Sequence, residues 1–125
     1  MTKFSFKKRE RVKKNVDFLA AYKKGIKKGS KHFRIAILPN NLHWRRLGLT
    51  VSKKIGKSVT RNYVKRRLRE YFRLHKENLP ESCDIVFTAK TGADRLTYAE
   101  IRRELNEIFC SEAKPTQPSE NTDNN

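Results

Sequence analysis

The chain has 125 residues, of which 30 are Lys or Arg and 13 are Asp or Glu, for a formal net charge of +17. That length supports one compact domain, and a hydrophobic content of 36% supplies one modest core. No apolar run approaches the roughly 18 residues of a membrane span, and the basic stretch 1–14 lacks the apolar centre of a secretory signal, so a cytoplasmic address is expected. The charge is unevenly placed: residues 1–79 hold 25 basic and 4 acidic side chains, whereas residues 80–125 hold 5 and 9. Like charge at that density repels itself, so it points to a polyanionic partner rather than to a merely solvated surface. An anionic membrane would call for a long apolar face beside the charge, and none accompanies it. Cys83 and Cys110 lie 27 residues apart with no CxxC or Cys/His clustering, which offers neither a zinc site nor a disulfide framework.

Residues 1–14 read as an extended basic arm. Asn15 is placed to cap a helix through Phe18, Leu19 and Tyr22, which Gly25 would close in a left-handed conformation. Phe18 and Tyr22, four apart, share one side of it. Two strands are expected over 31–38 and 46–53, separated by the turn chemistry of Pro39-Asn40-Asn41. Their alternation builds one apolar face from Phe33, Ile35, Ile37, Leu47, Leu49 and Val51, which belongs against helices. The other face, with Arg34, Ala36, Gly48, Thr50 and Ser52, is either solvent surface or the floor of a groove. A helix over 58–75 follows, then a strand over 83–89 after the break at Pro80. The last helix opens on a Thr97/Glu100 capping box and buries Ile101, Leu105, Ile108 and Phe109. Residues 1–110 are thus expected to form a single domain, with a charge suited to a polyanion such as RNA, and 111–125, without an aromatic or large aliphatic residue, are expected to be a disordered tail.

The helix over 58–75 carries the sharpest pattern. At about 100° per residue, Val64, Leu68, Tyr71, Phe72 and His75 share one arc, and Asn62, Lys65, Arg66, Arg69 and Arg73 share another roughly opposite, with Arg61 beside it in the first turn. Neighbouring cations at i,i+4 cost a few tenths of a kcal/mol each, and Glu70 is the one acid in the segment to offset them. Guanidinium forks hold two phosphate oxygens at once, lysine acts as a point charge, and Asn62 can read a base edge or a 2′-hydroxyl. Lys53, Lys54 and Lys57 extend the positive track to the helix N-terminus, itself an anion site. A protein-borne nuclease site has little support. The basic part has four scattered acids, with no DxD or DxE pattern for Mg²⁺, and no evident pair of histidines for metal-free cleavage.

The segment KKIGKSVTRNYVKRRLRE resembles the signature of the bacterial ribonuclease P protein subunit, the small basic partner of a catalytic RNA. The opening FKKRERVKKNVDFLAAYKKG and the strand GLTVSKK are similar to that family as well. The resemblance implies an α+β fold, a two-layer α/β sandwich with a central, mostly antiparallel sheet and a left-handed βαβ crossover, like a ribosomal-protein domain. It implies a protein cofactor of an endoribonuclease whose RNA subunit is the catalyst, with Mg²⁺ held mainly on that RNA. The RNA subunit would be bound through Lys53, Lys54, Arg61, Asn62, Lys65, Arg66, Arg69 and Arg73. The single-stranded 5′ leader of precursor tRNA would be gripped by Arg11, Phe18, Tyr22, Phe33, Arg34 and Ala36, with no DNA or membrane partner. Tyr63 stands where the family commonly has Arg or Lys, and Ala36 where some members carry an aromatic. A ribosomal protein or RNA chaperone with no enzyme attached is the alternative that composition also permits.

Overall fold

The structure, a computed structural model, describes residues 8–113. It contains helices α1 (Asn15–Lys24), α2 (Ser58–His75) and α3 (Tyr98–Ala113) and strands β1 (Ile26–Gly29), β2 (Phe33–Pro39), β3 (Arg46–Thr50) and β4 (Cys83–Ala89). The sheet order is β1-β2-β4-β3, with β1–β2 and β2–β4 antiparallel and β3–β4 parallel. The fold is therefore α+β with a mostly antiparallel sheet, and α2 is the crossover that a parallel pair requires. The two strands flanking Pro39-Asn40-Asn41 do not pair with each other, because β4 lies between them. In β4 the run Ile85-Val86-Phe87 is buried on both faces, so it takes the central place that covers both. Among the described residues, no helix is long and apolar enough to cross a membrane.

The main core lies between the sheet and the pair α2 and α3. Phe33, Ile35, Ile37, Leu47, Ile85 and Phe87 meet Val64, Leu68, Tyr71 and Phe72 of α2 and Ile101, Leu105, Ile108 and Phe109 of α3. Each such side chain contributes about 1.5–3 kcal/mol on burial. His75 is half-buried and stacks on Tyr71 at 4.3 Å between ring centroids, a structural contact. The capping box forms as expected: Thr97 N–H donates to Glu100 Oε1 at 2.8 Å, and Glu100 N–H donates to Thr97 Oγ1 at 3.2 Å. Helix α3 runs on to Ala113, past the expected boundary at 110, and 114–125 lie outside the described residues.

Local departures from expectation have identifiable causes. Helix α1 begins at Asn15 itself, with Lys14 at the N-cap and no side-chain cap, because Val12 N–H is already bonded to the Leu47 carbonyl at 2.9 Å and sets the entry of the chain. Gly25 ends α1 at φ −75°, not in the left-handed region. Glycine is needed there because a Cβ would stand 2.6 Å from the Ala21 carbonyl oxygen and 2.8 Å from that of Ile37. That tight reversal feeds directly into β1, a strand whose sequence Ile26-Lys27-Lys28-Gly29 has no apolar alternation to announce it. From Lys8 onward the basic arm is docked, through a 3-10 turn at Lys8–Glu10 and a parallel bridge between Arg11 and Leu47.

Two polar networks complete the scaffold. Arg46 and Asp84 face each other across the parallel pair, and the guanidinium grips the buried carboxylate through Nε and Nη2, each at 2.7 Å. Asn40 Nδ2 donates to the same carboxylate at 2.9 Å, and Asp17 of α1 stands 3.4 Å from Arg46. Replacing Arg46 with Ala should cost about 3 kcal/mol in urea unfolding, since it strips the buried carboxylate of its main partner. The Glu104 carboxylate accepts from Ser30 Oγ, from His32 N–H at 2.6 Å and approaches His32 Nδ1 at 2.9 Å. Burial would raise its pKa, but the hydrogen bonds from Ser30 and His32 prevail and hold it below the ordinary glutamate value. A carboxyl lowered on folding stabilises fully above its unfolded pKa and loses that contribution as pH falls through the folded one. Thermal melts of Glu104→Gln should accordingly show a flatter acid limb than the parent between neutral pH and pH 3.

Candidate nucleic-acid interface

Helix α1 crosses the second face of the sheet, whose rows follow from the strand register. Gly48, Val86 and Ala36 lie abreast, and Thr50, Thr88 and Arg34 form the next row. Ala21 seals against Ala36 and Val86, with Phe18 and Tyr22 packed beside them. Phe18 comes so near the sheet that a Cβ on Gly48 would stand 2.7 Å from its ring, so glycine here makes room for an aromatic. The Tyr22 hydroxyl bridges Thr50 Oγ1 at 2.8 Å and Thr88 Oγ1 at 2.9 Å. These contacts fix both rings while leaving each partly exposed. Beside α1 opens a concavity of about 370 Å³ lined by Tyr22, Lys27, Arg34, Ala36 and Thr88. The small-residue face is thus a groove floor, flanked by Lys27 and Arg34 and walled by a tyrosine.

The sequence-derived leader set is not all on this groove. Arg34 and Ala36 line it and Phe18 and Tyr22 stand over it, but Phe33 is fully buried on the opposite face, within the core against α2 and α3. Strand alternation forces this, since Phe33 and Arg34 must point to opposite sides, and Phe33 leaves the set of leader contacts. Lys27, which sequence reasoning passed over, lies on the groove because β1 pairs Lys27 with Ala36. The basic run Lys27-Lys28 signalled charge, but its placement depended on the unforeseen strand.

On α2 the stripe projects from the side opposite the core. Asn62, Arg66 and Arg69 are exposed, as are Lys53 and Lys54 in the turn leading in, and Lys65 is half-buried. Arg61 is drawn back onto that turn, donating to the Gly56 carbonyl and to Ser58 Oγ, each at 3.1 Å. Arg73 is held by Glu70 through Nε at 3.3 Å and Nη2 at 2.8 Å, so much of its charge is answered within the helix. Tyr63 lies off the stripe: its hydroxyl donates to the Leu96 carbonyl at 3.2 Å, and the Arg67 guanidinium sits 4.5 Å over its ring. Partial burial, with Arg11 and Arg66 close by, holds the Arg69 guanidinium below its ordinary pKa.

The stripe meets the N-terminal segment and α1. A notch of about 160 Å³ brings Arg11, Val12 and Phe18 together with Lys65 and Arg69 across Leu47 and Leu49. Notch, groove and stripe together offer cations and partly exposed aromatic faces, suited to a phosphate backbone and to stacked bases. A larger concavity, about 710 Å³ between the β1–β2 turn and α3, mixes Lys28, Lys31 and Arg103 with Glu100, Glu104 and Glu107, and that balance of sign does not suit a polyanion.

Comparison with known proteins agrees with this reading. The Ribonuclease P family pattern matches residues 6–112. The ribonuclease P protein component of Syntrophus aciditrophicus is 43% identical over 112 residues, covering 90% of this chain and 94% of the relative. That of Desulfosudis oleivorans is 44% identical over 109 residues, covering 87% and 90%. Among solved structures, the ribonuclease P protein of Staphylococcus aureus superposes with a TM-score of 0.76 at 37% identity, covering 84% of this chain and 95% of that one. The Thermotoga maritima protein gives 0.74 at 32%, covering 82% and 97%. Sequence pattern, fold and basic surface converge on one assignment, and this chain belongs to the ribonuclease P protein family.

Proposed function

We propose that this chain is the subunit through which ribonuclease P grips both its RNA component and the 5′ leader of precursor tRNA, while the RNA carries out the cleavage. The observation that supports this most is the notch, where Arg11 of the N-terminal segment and Phe18 of α1 stand beside Lys65 and Arg69 of the stripe. The stripe, with Lys53, Lys54, Arg61, Asn62, Arg66 and Arg73, holds the RNA subunit. The groove, with Tyr22, Lys27, Arg34 and Ala36, holds the single-stranded leader by stacking and phosphate contact. Chemistry on the protein itself is disfavoured by how its acids are used: Glu10, Asp17, Glu70, Asp84 and Glu104 are each engaged with a cation or a histidine. Among the described residues no group of three or more His, Cys, Asp or Glu converges as metal ligands. In this reading Mg²⁺ is held on the RNA, where it would supply the activation of water. The chain's own part is to neutralise phosphate repulsion and to align the leader, which removal of the leader in the cytoplasm would exploit. A free ribosomal protein or RNA chaperone is not favoured by the family match over residues 6–112.

Reconstitution with a ribonuclease P RNA and a precursor tRNA at low Mg²⁺ tests this directly: leader removal should accelerate when the chain is added, and no gain defeats the reading. With about six to eight phosphates engaged, log affinity should fall against log salt with a slope of roughly −4 to −7. Lys65→Ala combined with Arg69→Ala should leave the melting curve in place and weaken assembly with the RNA subunit by about tenfold or more in filter binding. Tyr22→Ala should cost the holoenzyme about 1–3 kcal/mol of affinity for precursor tRNA and much less for mature tRNA. Tyr22→Phe, which keeps the ring, should retain most of that discrimination.

A further inference from the structure

The segment before α1 is tied down by contacts of three different kinds. The Trp44 indole Nε1–H donates to the Arg9 carbonyl at 2.8 Å, and the Arg9 guanidinium lies 4.8 Å over the same indole. The Glu10 carboxylate, 8% exposed, accepts from Lys76 Nζ at 2.6 Å. Val12 N–H donates to the Leu47 carbonyl at 2.9 Å. An acid is scarce in this part of the chain, which has 4 among its first 79 residues. Glu10 turns inward to the 3-10 turn that follows α2, where it meets Lys76. Between these ties stands Arg11, exposed, on the notch it shares with Lys65, Arg69 and Phe18. Its charge is close enough to disfavour that of Arg69. Cations do not gather unaided, and repulsion from α2 would swing an untethered segment outward.

We infer that Glu10 and Trp44 are positioning residues: they strap residues 8–12 across the edge of β3 and hold Arg11, against repulsion, where it takes a phosphate of the precursor leader. The inference rests on the groove reading given above. Its consequence runs against simple charge counting. Removing an acid from a protein of formal charge +17 should tighten phosphate binding by general electrostatics. Removing this one loosens it, because the cation it positions is lost from the track.

The test uses holoenzyme reconstituted with Glu10→Ala, Trp44→Phe, Arg11→Ala and the double variant Glu10→Ala/Arg11→Ala. Trp44→Phe leaves net charge unchanged and keeps a ring under Arg9, so it guards against a folding defect in Glu10→Ala; melting curves must show every variant folded at the assay temperature. Each single variant should bind precursor tRNA about three- to tenfold more weakly, with little change for mature tRNA. The salt slope should shallow by about 0.7, the share of one single-strand phosphate. The double variant should be no weaker than Arg11→Ala alone, since Glu10 acts through Arg11. Unchanged or tighter binding by Glu10→Ala and Trp44→Phe, additive losses in the double variant, or equal losses for mature tRNA would overturn the inference. If Arg11→Ala and Tyr22→Ala both leave leader discrimination intact, the groove reading itself fails. If those two weaken it and the strap variants do not, the strap alone fails.

Discussion

Burial of Val64, Leu68, Tyr71 and Phe72 presses α2 onto the sheet, and the same helix must carry Lys65, Arg66 and Arg69 on its outer side. A helix with that many neighbouring cations is a poor helix by itself, because each i,i+4 repulsion subtracts a few tenths of a kcal/mol. Four buried side chains at about 1.5–3 kcal/mol each outweigh that cost comfortably. The basic surface therefore exists as a defined stripe because hydrophobic packing on the far side overrides electrostatics on the near side. The crossover position of α2, between the parallel strands β3 and β4, then presents the stripe beside the edge of the sheet that the N-terminal segment also borders.

The second face of the sheet works by subtraction. Gly48 and Ala36 leave space where larger residues would close it, and that space is partly filled by Phe18 and Tyr22 from above. Because the Tyr22 hydroxyl is anchored on two threonines, its ring is held without being buried. A fixed, partly exposed aromatic loses little entropy on stacking with a base, and so the groove is ready before its ligand arrives.

Acids are distributed with equal economy. Asp84, Asp17, Glu10 and Glu104 serve the scaffold, each paired with a neighbouring cation or histidine, so the groove and stripe keep nearly all of their positive charge. Glu70 is the exception, and it answers Arg73 at the end of the stripe farthest from the helix N-terminus. Arg11, Lys65 and Arg69 thereby keep their charges together on one notch.

Much of this was legible in the residues alone. The 3.6-residue period of α2, the Thr97/Glu100 box of α3 and the run at Cys83–Ala89 each declare local structure through local physics. The resemblance carried by KKIGKSVTRNYVKRRLRE points to the family from sequence alone. Tertiary structure decided what local physics leaves degenerate. Strand order is one such matter, because β2 could pair with β3 or with β4, and burial of Ile85-Val86-Phe87 on both faces settles the choice. The face of Phe33 is not one of them: its alternation with Arg34 already assigns it to the core side, where it lies, and only the resemblance had set it among the leader contacts. The notch between the N-terminal segment and α2, and the strap through Glu10 and Trp44, join residues 35 to 66 positions apart, at separations where no periodicity in the sequence reports contact.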